Sequence, residues 1–246
     1  MFKEELENNE DIIKECKKNN ISMIINGYNN ITNKEIIDLS NKYNNVYSSI
    51  GLNYDEVDSF NDKDLIELEE LIKSNKINAI GEIGLDYYWT KDNKDEQIYF
   101  FEKQLKLAEK YDLPVIVHAR EAIQDVYDII KKSNVRKGSM HCYSGSLEMA
   151  KEFIKLGFLI GIDGPITYKN NKKGVNIVKE LPLNKLLLET DSPYLSPEPN
   201  RGKKNSPLNL IYIANKIAEI KEISTEEVIK ETTKNAKELF NLWIKN

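Results

Sequence analysis

Short β-branched runs alternate along the chain with longer stretches whose apolar residues recur every three or four positions. The short runs have the pattern of strands and the longer ones that of amphipathic helices, so the alternation predicts repeated βα units. Seven strands are predicted, over residues 22–26, 46–50, 78–83, 114–118, 139–142, 158–162 and 185–189. Helix starts are marked by Thr32 with Glu35 and by Ser224 with Glu227, both at capping-box spacing, and by Ser206-Pro207, an N-cap before a first-turn proline. Residues 5–19 already read as a helix, with Ile12, Ile13 and Cys16 on one side, so the pattern opens on a crossover helix with no strand before it. Strands joined by helical crossovers run parallel and form either an open doubly wound sheet or a closed barrel, usually of eight strands.

Composition narrows the setting. A chain of 246 residues is within the range of one α/β barrel domain. Its 40% hydrophobic and 30% charged residues are those of an ordinary globular protein. No apolar run approaches the roughly 20 residues of a membrane span, and the opening Met1-Phe2-Lys3-Glu4-Glu5-Leu6 does not read as a signal peptide. A cytoplasmic location is therefore expected, with no membrane partner. Cys16 and Cys142 lie far apart and outside any CxxC spacing, so both are expected to be ordinary reduced thiols. A net charge of −5 weighs against a broad basic surface that coats nucleic acid. It leaves room for an enzyme that grips phosphates with a metal and a few local cations.

In a barrel of βα units, reactive groups gather at the C-terminal ends of strands. Four predicted strand ends carry such a group: Glu82, His118, His141 and Asp191. The chain's two histidines both fall there. Taken singly, each residue also reads as a hydrogen-bonded structural group or a turn former. Taken together, two imidazoles and two carboxylates match the donor set preferred by zinc and similar divalent ions. Asp86, Tyr87 and Tyr88 follow Glu82 closely, but aromatic residues at such a position are as often packing as binding.

The segments Gly81-Glu82-Ile83-Gly84-Leu85-Asp86-Tyr87, Val115-Ile116-Val117-His118-Ala119-Arg120, His141-Cys142-Tyr143-Ser144-Gly145 and Glu189-Thr190-Asp191-Ser192-Pro193-Tyr194-Leu195 closely resemble the signature blocks of TatD-type deoxyribonucleases. The likeness continues through residues 197–207 and, more loosely, from the first helix to the C-terminus. It implies a TIM-type (β/α) barrel, here with seven recognisable strands and the first strand missing. It also implies one or two divalent ions (Zn, Mg or Mn) and hydrolysis of DNA phosphodiesters, on single strands or 3′ ends. By matching motifs, Glu82, His118, His141 and Asp191 would hold metal, and Glu82 and Asp191 would also act in catalysis. Arg120, Arg201 and Lys203 would contact substrate phosphates.

The chain departs from that family at two places. The family's His-x-His pair on the first strand has no counterpart, since no histidine precedes His118, and Asn53 stands where a second active-site histidine is usual. Three readings stay open: a start upstream of Met1, a natural single-metal member, and a relative that binds without turnover. Asn53 is kept as a substrate contact because its amide still hydrogen-bonds. A homodimer is expected to cover the edge that a missing strand would bare. The alternatives to a deoxyribonuclease are a metal hydrolase of small esters or amides and a non-catalytic metal- or nucleic-acid-binding relative.

Overall fold

The β-branched runs become strands and the helical-period stretches become the helices between them. The computed structural model describes residues 9–242, in the order α1 (Asn9–Lys18), β1 (Met23–Asn26), α2 (Asn30–Lys42), β2 (Val46–Ile50), α3 (Asp62–Ser74), β3 (Ala79–Asp86), α4 (Lys94–Lys110), β4 (Val115–Arg120) and α5 (Ile123–Lys132). There follow β5 (Gly138–Met140), α6 (Leu147–Lys155), β6 (Phe158–Ile162), α7 (Lys172–Glu180), β7 (Leu186–Leu188), α8 (Leu210–Lys221) and α9 (Thr225–Phe240). The predicted first helix survives over Asn9–Lys18; its first four predicted residues lie outside the described ones. Among the described residues, no helix is long and apolar enough to cross a membrane.

Two compact units make up the described chain: residues 24–141 with 239–242, and residues 9–23 with 142–238. In the first, β2 pairs with β3, β3 with β4 and β4 with β5, all parallel. Ile50, Ile80, Ile83, Leu85, Val115 and Val117 are fully buried, which accounts for the continuous apolar runs of these strands. Along β3 and β4, Gly84 faces His118 and Asp86 faces Arg120, while the register shifts between Ile80 and Ile83. Glu82 sits inside that irregularity, the usual place for a strand to re-aim a side chain. Gly84 has φ of 140°, and a Cβ there would collide with the His118 carbonyl oxygen, so only glycine fits.

Both strands outrun their predicted ends, β3 reaching Asp86 and β4 reaching Arg120. β5 stops at Met140, which leaves His141 and Cys142 just beyond it. The expected cap at Thr32 is corrected. Asn29 caps α2 through bonds from the Ile31 and Thr32 amides, and Thr32 Oγ1 accepts from the Asn29 amide in return. Asparagine is as good a cap as threonine, and three residues earlier it starts the helix sooner. Ser206 caps a 3-10 turn (Pro207–Asn209) ahead of α8, and the Glu227 amide donates to Ser224 Oγ as the spacing predicts.

The loop after β2 is held by two buried amides. Asn33 Nδ2 donates to Gly51 O (2.9 Å) and its Oδ1 accepts from Gly51 N (3.1 Å). Gln104 Oε1 accepts from Leu52 N (2.7 Å) and its Nε2 donates to Leu52 O (2.9 Å). In the second unit, β6 pairs parallel with β7, and Asn235 on α9 donates to the Leu183 and Leu186 carbonyls. Gly161 on β6 lies so close to the Glu189 carboxylate that any Cβ would clash with it.

Gln104→Leu strips the side-chain partners from the buried Leu52 N–H and C=O and is expected to cost about 2–4 kcal/mol. In a chain of this size that lowers Tm by about 4–16 °C. Calorimetry showing an unchanged Tm would remove the clamp from this account.

Candidate active site

His118 lies near the end of β4, with a side chain that is 16% exposed. Its Nε2 donates to Asp86 Oδ2 at 2.9 Å, and its Nδ1 lies 3.2 Å from Glu82 Oε1. The His141 Nε2 is 4.0 Å from the other Glu82 oxygen, Oε2. The first unit thus brings together three of the four predicted ligands and adds Asp86, which sequence reasoning set aside. Tyr54 completes the arrangement: its ring stacks on His118 with centroids 4.2 Å apart, and its hydroxyl donates to Glu82 Oε1 at 3.3 Å.

The charges follow from these contacts. Burial pushes the Glu82 carboxyl up, but the His141 charge and the bonds from His118 and Tyr54 outweigh it and hold the group down to about 2. Burial pulls His118 down, yet its bonds to Asp86 and Glu82 and the Glu82 charge prevail, leaving it above its ordinary 6.5. Tyr54 is driven far up by burial first and the Glu82 charge second, so it stays a neutral donor.

This donor set fits a divalent cation. With Nε2 donating to Asp86, a neutral imidazole would turn its Nδ1 lone pair toward an ionised Glu82 oxygen, whereas in the metal-free protein a proton on Nδ1 joins the two. Two acceptors that close need a proton or a cation between them. An imidazole whose far nitrogen is fixed by a carboxylate is the usual arrangement of a metal-ligating histidine. Glu82, His118 and His141 would hold the ion.

Asn53 has a structural task in this fold. Its side-chain oxygen accepts from the Asp55 amide at 2.8 Å and caps the 3-10 turn Tyr54–Ser59. Being 8% exposed, it holds the turn that carries Tyr54. Arg120 ends β4 with its guanidinium carbon 3.6 Å from the Tyr88 ring centroid. Tyr87 is buried packing, its hydroxyl donating to Asp125 Oδ2 at 3.0 Å.

The second unit holds the fourth predicted ligand. Asp191, Cys142 and Asp163 each place one donor atom within 4.8 Å of the others. The Cys142 thiol donates to Asp163 Oδ2 at 3.0 Å, and the Cys142 amide donates to Glu189 Oε1. Burial, then the charges of Asp163, Asp191 and Glu189, raise the Cys142 thiol well above 9.0, so a cation here would have to displace its proton. Cys142 and Asp191 both have positive φ, 44° and 52°, a conformation that non-glycine residues hold only where surrounding bonds enforce it. Asn205 supplies such bonds next to Asp191, donating to the Thr190 and Tyr194 carbonyls at 2.6 Å each. Arg201 lies over the Tyr168 ring at 4.2 Å, and Lys203 is exposed on a loop whose backbone is tied by Ser196 Oγ at 2.6 Å.

Asp86, Tyr54, Cys142 and Asp163 are the additions. Signals existed for three of them: Asp86 lies in the same block as Glu82, Cys142 adjoins His141, and Asp163 directly follows the apolar run 158–162 at a strand's C-terminal end.

Comparison with known proteins shows the family of the chain. A family model described as TatD related DNase matches residues 2–241. The uncharacterized metal-dependent hydrolase YabD of Bacillus subtilis (strain 168) is 39% identical, over 95% of this chain and 92% of its own length. The uncharacterized metal-dependent hydrolase MJ1582 of Methanocaldococcus jannaschii is 37% identical, over 95% of this chain and 90% of its own. Among solved structures, YjjV, a TatD homolog from Escherichia coli K12, superposes with a TM-score of 0.85 at 31% identity, covering 89% of this chain and 86% of that one. A TatD-family hydrolase from Entamoeba histolytica gives 0.83 at 26% identity, covering 94% and 89%. The fold is accordingly the TIM-type (β/α) barrel fold, with seven parallel strands among the described residues.

With only two histidines in the chain, proton NMR of metal-free protein reads each one separately. His118 is expected to titrate above 6.5, and Asp86→Asn, which removes an anionic partner, is expected to lower it. Because the folded value is raised, this group's contribution to stability is complete below 6.5 and is lost as pH rises through the folded value. The urea midpoint of chelated protein should fall across that window in the wild type, and less in the variant. Two histidines titrating at or below 6.5 would contradict the clamp.

Proposed function

Because this chain belongs to the TatD related DNase family and is a metal-dependent hydrolase of that type, we propose that it cleaves DNA phosphodiesters at single-stranded or 3′ ends. The observation that carries the proposal is His118 held between Glu82 and Asp86, with His141 on the far oxygen of Glu82. Glu82, His118 and His141 would hold a divalent ion, which when bound would supply positive charge and Lewis acidity to a phosphodiester and its attacking water.

The protein's own residues do the rest. Asp86 fixes the ring orientation of His118, and Tyr54 covers the ring face and keeps a neutral donor on Glu82. Glu82 is ionised across the working pH range because the histidines and Tyr54 hold it down to about 2. It can therefore bind a cation or accept a hydrogen bond without first losing a proton. Within its own unit, Asp191 is the carboxylate we assign to metal and water, with Asp163 beside it. Arg120, Arg201 and Lys203 supply cations to phosphate oxygens, the two arginines presenting planar donors pre-set by aromatic rings. A few fixed cations on a chain of net charge −5 suit local phosphate contacts rather than a coating surface.

The test is cleavage of an end-labelled single strand by purified protein supplied in turn with Zn2+, Mn2+ and Mg2+. Chelation is expected to abolish cleavage and readdition to restore it. Glu82→Gln and His118→Ala are expected to lower kcat/KM by at least about 100-fold, and Asp86→Asn by about 10- to 100-fold, the range for losing a group that orients a metal ligand. Cleavage that survives chelation, or an undiminished Glu82→Gln, would overturn the proposal.

A further inference from the structure

We propose that Trp89 and Tyr88, bridged by Arg120, form a stacking platform for an unpaired nucleobase of the DNA strand whose phosphodiester the His118 centre addresses; this rests on the phosphodiesterase reading. Trp89 is 74% exposed and Tyr88 49% exposed. The two rings meet edge to face, with centroids 4.8 Å apart and planes at 85°, and Trp89 is the more open of the two. The Arg120 guanidinium carbon lies 3.6 Å from the Tyr88 centroid and 5.6 Å from that of Trp89. A tryptophan with three quarters of its surface in water gains little from burial, so packing does not account for it. The neighbouring Tyr87, buried with its hydroxyl on Asp125, shows what packing looks like at this point of the chain.

The occupant follows from the chemistry of the platform and from its attachment. Aromatic faces interleaved with a guanidinium match a single strand's own alternation of flat bases and anionic phosphates. Asp86 makes the attachment: its Oδ2 accepts from His118 Nε2 at 2.9 Å, and its Oδ1 accepts from the Tyr88 amide at 2.9 Å. Gln97 in turn locks Asp86, accepting from its amide at 2.8 Å and donating to its carbonyl at 3.0 Å. One carboxylate therefore ties the imidazole to the backbone that carries the platform. The cross-strand pairing of Asp86 with Arg120 sets the Arg120 backbone at the same level. A base stacked there would position the strand by a contact that does not read sequence, because every base offers a π-face.

The experiment is fluorescence anisotropy with full-length protein in chelator, at one fixed salt concentration. It compares a short oligothymidine with a strand of equal length that lacks bases. Wild type is expected to prefer oligothymidine by about 5- to 100-fold. Trp89→Ala is expected to lose that preference and Trp89→Phe to keep part of it, all three proteins having the same Tm because position 89 is exposed. A wild type that binds both strands alike, or a Trp89→Ala variant that still discriminates as wild type does, would overturn the platform. Binding in chelator needs no turnover, so discrimination without cleavage would keep the platform and remove the phosphodiesterase reading. Cleavage without discrimination would do the reverse.

Discussion

An imidazole wedged between two carboxylates organises the first unit. Glu82 is largely removed from water, and a carboxylate in that position is tolerated only if its charge is met by fixed partners. His118, His141 and Tyr54 meet it, and each is delivered by a different part of the chain: the end of β4, the residue just past β5 and the turn after β2. The supports beneath them are buried amides. Asn33 and Gln104 hold Gly51 and Leu52, Asn53 caps the turn that presents Tyr54, and Gln97 holds Asp86. Several of the buried polar groups of this unit therefore fix the backbone that carries the partners of one ring.

The parts of this arrangement that the sequence made legible are those written locally. Strands 46–50 and 158–162 were predicted with the observed limits because their apolar runs are flanked by polar turns. Glu82, His118 and His141 were legible because each lies in a dense signature block at or near a strand end. Tyr54 lies outside those blocks, and Asp86, although in the same block as Glu82, has a role that comes only from pairing with His118 across 32 positions of chain, through a β3/β4 register that contains an irregularity. No local pattern announces such a shift. Cys142 was read as an ordinary thiol since its spacing matches no metal motif, and only the fold brings Asp163 and Asp191 to it.

Asn53 is instructive in another way. In sequence it reads as a histidine replaced by a weaker polar group; in the fold its oxygen is spent on the Asp55 amide, and its effect reaches His118 through the position of Tyr54. A residue can therefore shape a site by fixing backbone rather than by touching substrate. The same logic applies to Asp86, whose two oxygens tie the His118 imidazole to the backbone amide of Tyr88.

The central claim is that Glu82, His118 and His141 are a cation's ligands rather than a purely structural charge cluster. Anomalous diffraction from crystals soaked in Mn2+ or Zn2+ tests it most directly. The account predicts an anomalous peak within coordination distance, about 2.0–2.2 Å, of Glu82 and both imidazoles. A soaked crystal with His118 still locked between Glu82 and Asp86, and with no peak among these three side chains, would contradict it.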